Sequence, residues 1–158
     1  MSASLQPGSP APKFDLPTDG GGHVRLADLK GQRVILYFYP KDDTTGCTRE
    51  AIDFTAAAKA FKKKGAVVIG VSKDSVKAHD KFKAKHQLEV TLASDEDGKV
   101  VEQYGAWVQK SMYGRTYMGI DRSTFLIDGS GVIRRIWRKV RVPGHVDEVA
   151  AALDETKA

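Results

Sequence analysis

The sequence predicts an α/β fold in which a mixed sheet is covered by helices. Three observations carry that prediction. Apolar, β-branched runs alternate with stretches of helical periodicity through the first hundred residues, a glycine-rich turn later joins two apolar runs directly, and the chain closes on one more amphipathic stretch. Strands separated by helices pair in parallel, whereas strands joined by a short turn pair antiparallel, so the sheet is mixed. With 158 residues, 41% of them hydrophobic, the chain fits one domain, residues 1–158, that buries a core of its own.

The elements follow in order. Val34-Ile35-Leu36-Tyr37-Phe38-Tyr39 is apolar, rich in β-branched and aromatic residues, and reads as a core strand that Pro40 stops. Ala51, Ile52, Phe54, Ala58 and Phe61 recur at three- and four-residue spacing, as on one face of a helix that Lys62-Lys63-Lys64-Gly65 ends with a cationic turn and a glycine stop. Ala66 to Val71 is a second core strand. Ser72 to Ser75 cap a helix over about Val76 to Lys85. Leu92-Ala93 is a short strand, Val100, Val101 and Tyr104 mark a brief helix, and Trp107 to Gly119 reads as a long loop suited to substrate contacts. Thr124 to Ile127 and Val132 to Trp137 flank Asp128-Gly129-Ser130-Gly131 as a hairpin. Val146, Val149, Ala150 and Leu153 form the apolar stripe of a last helix, whose first turn carries Asp147 and Glu148.

The one cysteine, Cys47, falls where the first core strand hands over to its helix. Unpaired N–H groups and the positive end of the helix dipole stabilise an anion there, which for cysteine is the thiolate. Free cysteines are often inert buried hydrophobes, but a polar, glycine-adjacent helix start favours a nucleophile. Thr44 lies three residues earlier, and its spacing leaves two roles open: capping the helix, or placing a donor beside the sulfur.

Pro40, Thr44 and Cys47 match the Pro-x-x-x-Thr-x-x-Cys signature of the peroxiredoxins. The surrounding Tyr37 to Asp43 and Gly46-Cys47-Thr48, with Tyr117-Met118-Gly119, Arg122 to Asp128 and Val140 to Val146 further on, resemble the peroxiredoxin Q (bacterioferritin comigratory protein) subfamily across nearly the whole chain. The resemblance implies a thioredoxin-like fold and thiol-dependent reduction of hydrogen peroxide or organic hydroperoxides, without a cofactor. It assigns Cys47 as the attacking thiol, Thr44 and Arg122 as the groups that orient the peroxide, Pro40 as a shield over the oxidised sulfur, and Glu50 as an anchor for Arg122. Glu50 reads equally well as a first-turn carboxylate satisfying the helix dipole.

Two departures matter. Thr45 stands where the motif usually has a second proline, and Ile52 stands where many members carry a resolving cysteine. With a single cysteine no internal disulfide can form, so an external thiol such as thioredoxin, glutaredoxin or glutathione has to reduce the oxidised site. A peroxide sensor that passes oxidation to a partner is the alternative use of the same thiol. Ionisation by itself explains little. An ordinary thiol, of pKa about 8.5, is roughly 5 to 10% thiolate near neutral pH, so full ionisation raises its rate only about ten- to twentyfold. A cation must help, and near Cys47 the residues Lys41 and Arg49 are outnumbered by Asp42, Asp43 and Glu50.

Other classes are disfavoured. The net charge of +5 and the cluster Arg134, Arg135, Arg138, Lys139 and Arg141 could suggest nucleic-acid binding, yet charges on an exposed edge strand commonly serve to prevent aggregation. His79 and His86, seven apart without further ligands at metal spacing, read as surface histidines, and Asp95 to Gly98 fails the calcium-loop pattern. No apolar run reaches membrane-spanning or signal-peptide length. The expectation is a cytoplasmic monomer or weak dimer.

Overall fold

The computed structural model describes residues 4–156. The chain runs β1 (Asp15–Pro17), β2 (His23–Arg25), β3 (Arg33–Phe38), α1 (Thr45–Lys63), β4 (Ala66–Ser72), α2 (Val76–His86), β5 (Thr91–Ser94), α3 (Lys99–Gln103), β6 (Trp107–Met112), β7 (Arg115–Ile120), β8 (Ser123–Ile127), β9 (Ile133–Trp137) and α4 (His145–Glu155). Five strands form one sheet in the order β5-β4-β3-β8-β9. β3, β4 and β5 are parallel and β8 and β9 antiparallel, the mixed sheet expected.

β3 sits at the centre because it is apolar on both faces. Val34, Leu36 and Phe38 point to one side, and Ile35 and Tyr37 to the other, where Tyr39 beyond the strand end joins them. α1 lies on that second side and buries Cys47, Glu50, Ala51, Phe54 and Phe61. Phe54 stacks on Tyr37 with 4.7 Å between ring centroids. Fully burying side chains of this size contributes about 1.5–3 kcal/mol each. Ile52, expected on the same face, is 43% exposed, because one residue beyond the buried Ala51 turns it about 100° away from the sheet.

The expected loop over Trp107 to Gly119 is a hairpin instead. β6 and β7 pair antiparallel from Trp107–Ile120 to Met112–Arg115, and Tyr113 and Gly114, both at positive φ, close it as a two-residue turn. Most of its residues from Gln109 to Met118 are exposed, and only the base of the hairpin, at Trp107 and Ile120, turns into the core, so the sequence lacks the polar-apolar alternation that marks a half-buried strand. The short β1–β2 ladder also carried no strand signal.

The basic cluster is dispersed along the edge strand β9 and the segment after it. Arg134 pairs with Asp128 at 2.6 Å, and Arg138 donates to the carbonyls of Tyr104 and Gly105. Among the described residues no helix is long and apolar enough to cross a membrane.

Candidate active site

The site forms where β3 ends and α1 begins. The chain leaves Tyr39 through an exposed Pro40 and enters α1 at its N-cap, Thr44, whose φ of −95° and ψ of 159° are extended. The first helical bond here runs from the Thr48 N–H to the Thr44 carbonyl at 2.8 Å. The N–H groups of Thr45, Gly46 and Cys47 therefore precede the helical ladder, and Cys47 sits in the first turn as expected.

Arg122, immediately before β8, reaches this turn. Its Nη2 donates to Cys47 Sγ at 3.3 Å and its Nη1 to Glu50 Oε1 at 2.7 Å. Gly46 makes room, since a Cβ there would stand 3.1 Å from Arg122 Nη2. Cys47 is 2% exposed and Glu50 is fully buried. Burial pushes the Glu50 carboxyl up to about 7, although Arg122 pulls it back. Burial opposes the charge on Arg122 too, but Glu50 and Cys47 outweigh it and hold the guanidinium above its ordinary range. Among the described residues, Glu50 Oε2 and the hydroxyl of Tyr37 have no hydrogen-bond partner, and burial followed by the Glu50 and Cys47 charges drives the Tyr37 hydroxyl well above its usual range.

Three of the five expected residues thus meet: Cys47, Arg122 and Glu50. Thr44 occupies the N-cap position without making a side-chain cap, and its hydroxyl donates to the Lys41 carbonyl at 2.8 Å.

Behind the sulfur the sequence reading missed several polar groups. His145, at the start of α4, is buried between Phe54 and Trp137, with Nε2 2.8 Å from the Thr124 hydroxyl, and burial holds its ring below the usual imidazole range. His79, expected at the surface, is wholly buried against Asp42. Its only available signal was a histidine four residues past a serine N-cap, which does not distinguish inside from outside.

Residues 7–136 match the model of the AhpC/TSA family. A relative from Coxiella burnetii is 56% identical over 150 residues, covering 95% of this chain and 99% of its own length. Peroxiredoxin Bcp of Bacillus subtilis is 46% identical over 152 residues, covering 96% and 97%. Among solved structures, the bacterioferritin comigratory protein of Xanthomonas campestris, described for its alkyl peroxide reduction activity, superposes with a TM-score of 0.86 at 44% identity over 90% of each chain.

Proposed function

This chain belongs to the AhpC/TSA family and is a thiol-dependent peroxidase, and on that premise we propose a residue-level course for its reaction. The Cys47 thiolate attacks the nearer peroxide oxygen. A sulfur–oxygen bond forms as the oxygen–oxygen bond breaks, the sulfur is oxidised to a sulfenic acid, and hydroxide or alkoxide leaves to take a proton from water. The observation that carries this reading is the Arg122 guanidinium on Cys47 Sγ at 3.3 Å. A planar cation there favours negative charge on sulfur and can follow that charge onto the departing oxygen, while the Cys47 N–H and the Thr44 hydroxyl, once it turns from the Lys41 carbonyl to the peroxide, complete the cradle.

Glu50 fixes the guanidinium plane through Nη1, leaving Nη2 for the sulfur and the peroxide. Pro40 caps the loop and limits water at the sulfenic acid. Organic hydroperoxides are proposed beside hydrogen peroxide, in line with the alkyl peroxide activity described for the Xanthomonas campestris protein. The lone cysteine fits a one-cysteine cycle in which a thiol reductant enters from outside the chain. Thioredoxin, glutaredoxin and glutathione are the candidates, acting in the cytoplasm on a single-domain monomer or weak dimer.

The test is Cys47→Ser. Thiol-dependent peroxide consumption should disappear while the circular dichroism spectrum and melting temperature stay close to wild type. Residual turnover in the folded variant would sink the assignment.

A further inference from the structure

Two consecutive aspartates in the segment before Cys47 are both fastened to α2. Asp42 is buried, and its Oδ2 meets His79 Nδ1 at 2.7 Å while its Oδ1 accepts the Tyr39 hydroxyl at 2.5 Å. The far nitrogen of the ring, Nε2, faces the Ala93 carbonyl at 3.0 Å. A carbonyl only accepts, so Nε2 carries a hydrogen, and an imidazolium facing an ionised Asp42 satisfies both ends of the ring. Burial works against that charge, but the bond and charge of Asp42 outweigh it and raise His79 above the usual imidazole range. The neighbouring Asp43, at φ +60°, meets Lys85 at 2.7 Å and His86 at 2.9 Å from the last turn of the same helix. α2 touches neither the sulfur nor Arg122 through any of these bonds, yet it holds the segment that leads into α1 and Cys47.

Cys47 is 2% exposed, so an external thiol has no direct path to an oxidised sulfur in this conformation. We propose that His79 is a positioning residue: by holding Asp42, with Asp43 held beside it, it keeps residues 40–47 closed over the sulfur, which speeds attack on peroxide and slows the reducing thiol. This rests on the peroxidase reading of Cys47. It goes beyond that reading by setting the two halves of the cycle against each other through one buried contact.

The lone cysteine makes the two halves separable, because no internal thiol consumes the sulfenic acid. Oxidation is followed after one equivalent of hydrogen peroxide. Reduction is followed on adding dithiothreitol, whose first sulfur displaces water from the sulfenic acid and whose second closes a ring and returns the Cys47 thiol. Two substitutions discriminate. In His79→Asn the amide nitrogen replaces Nδ1 and keeps the Asp42 bond; in His79→Gln it replaces Nε2 and keeps only the Ala93 bond. Both lose one buried hydrogen bond, so a merely structural role affects both alike. The expected result is that His79→Gln slows oxidation about tenfold or more, speeds reduction severalfold, and raises amide exchange across residues 40–47, while His79→Asn stays near wild type in the ratio of the two rates. Equal effects of the two substitutions, or none, overturn the proposal.

If His79→Gln does not fold, Asp43→Asn decides. Asn tolerates positive φ, and the change removes only the ion pairs to Lys85 and His86. It should shift both rates in the same directions by about two- to threefold, in keeping with an exposed pair; an unchanged ratio overturns the proposal. Failure of wild-type Cys47 to oxidise would instead refute the peroxidase reading, and amide exchange over residues 40–47 in the His79 pair would still decide what His79 holds.

Discussion

Val34, Leu36 and Phe38 leave one face of β3 into a cluster whose aromatic centre is Phe38, Tyr104 and Phe125, with centroids 5.0–5.8 Å apart. Ile35, Tyr37 and Tyr39 leave the other face toward Cys47, Glu50 and Phe54. These six β3-side residues are all at most 1% exposed. On the first face the buried hydroxyl of Tyr104 is satisfied by the Pro12 carbonyl at 2.6 Å. On the second, the Tyr37 hydroxyl and one Glu50 oxygen are left without partners among the described residues, and an Asp42–His79 pair is buried nearby. An unsatisfied buried polar group costs about 1–3 kcal/mol. The apolar face therefore supplies stability, and the face that carries the thiol gives some of it up to hold charge in place.

Substitutions on the two faces should separate these roles. Phe38→Ala, on the apolar face, should cost about 3–5 kcal/mol by urea unfolding, with the oxidation rate of Cys47 per folded molecule unchanged. A large loss of rate in the folded fraction would break the division. On the other face, Arg122→Lys keeps a charge but loses the planar fork. It should slow oxidation by about a hundredfold, near 2.7 kcal/mol, with little change in unfolding free energy. A wild-type rate at high pH, where the thiol is fully ionised, would remove Arg122 from the chemistry.

Glu50 gives a pH signature. Its folded value of about 7 lies above the ordinary 4.5, so the folded state holds this proton more tightly than the unfolded chain. The stability this proton contributes is complete below about pH 4.5 and lost as pH rises through 7. Glu50→Gln cannot ionise. Wild type should therefore lose roughly 1–3 kcal/mol relative to the variant between pH 4.5 and 8, read from paired denaturation curves. A constant difference across that range would show that Arg122 keeps Glu50 ionised throughout. The smallest change is Tyr37→Phe, which deletes a hydroxyl without a partner among the described residues. Stability should hold or rise by up to about 1 kcal/mol, and a clear loss would reveal a partner for that oxygen.

The strands buried on both faces were the easiest elements to read. β3, β4 and β8 announce themselves in runs such as Val34 to Phe38 and Ala66 to Val71, where burial on both sides leaves little but hydrophobic residues. β6 and β7 did not, because Met112, Tyr117 and Met118 are exposed and impose no period. Within the site, Cys47 and Glu50 were legible as one helical turn. Arg122, 72 residues beyond Glu50, stood out only through the peroxiredoxin resemblance. His79 was misplaced at the surface because its partner, Asp42, lies 37 residues upstream, and no local pattern couples the two.

The pairing of β3 with β8 has a consequence in time. Cys47 and Arg122 are 75 residues apart, and the strand that carries the arginine to the thiol is among the last to be synthesised. At about 5–20 residues per second, Cys47 is synthesised roughly 4–15 seconds before Arg122. Through that interval the thiol has no Arg122 beside it, and β3 has no β8 to pair with. The fast reaction proposed for Cys47 is therefore expected only once β8 has paired with β3 in the middle of the sheet.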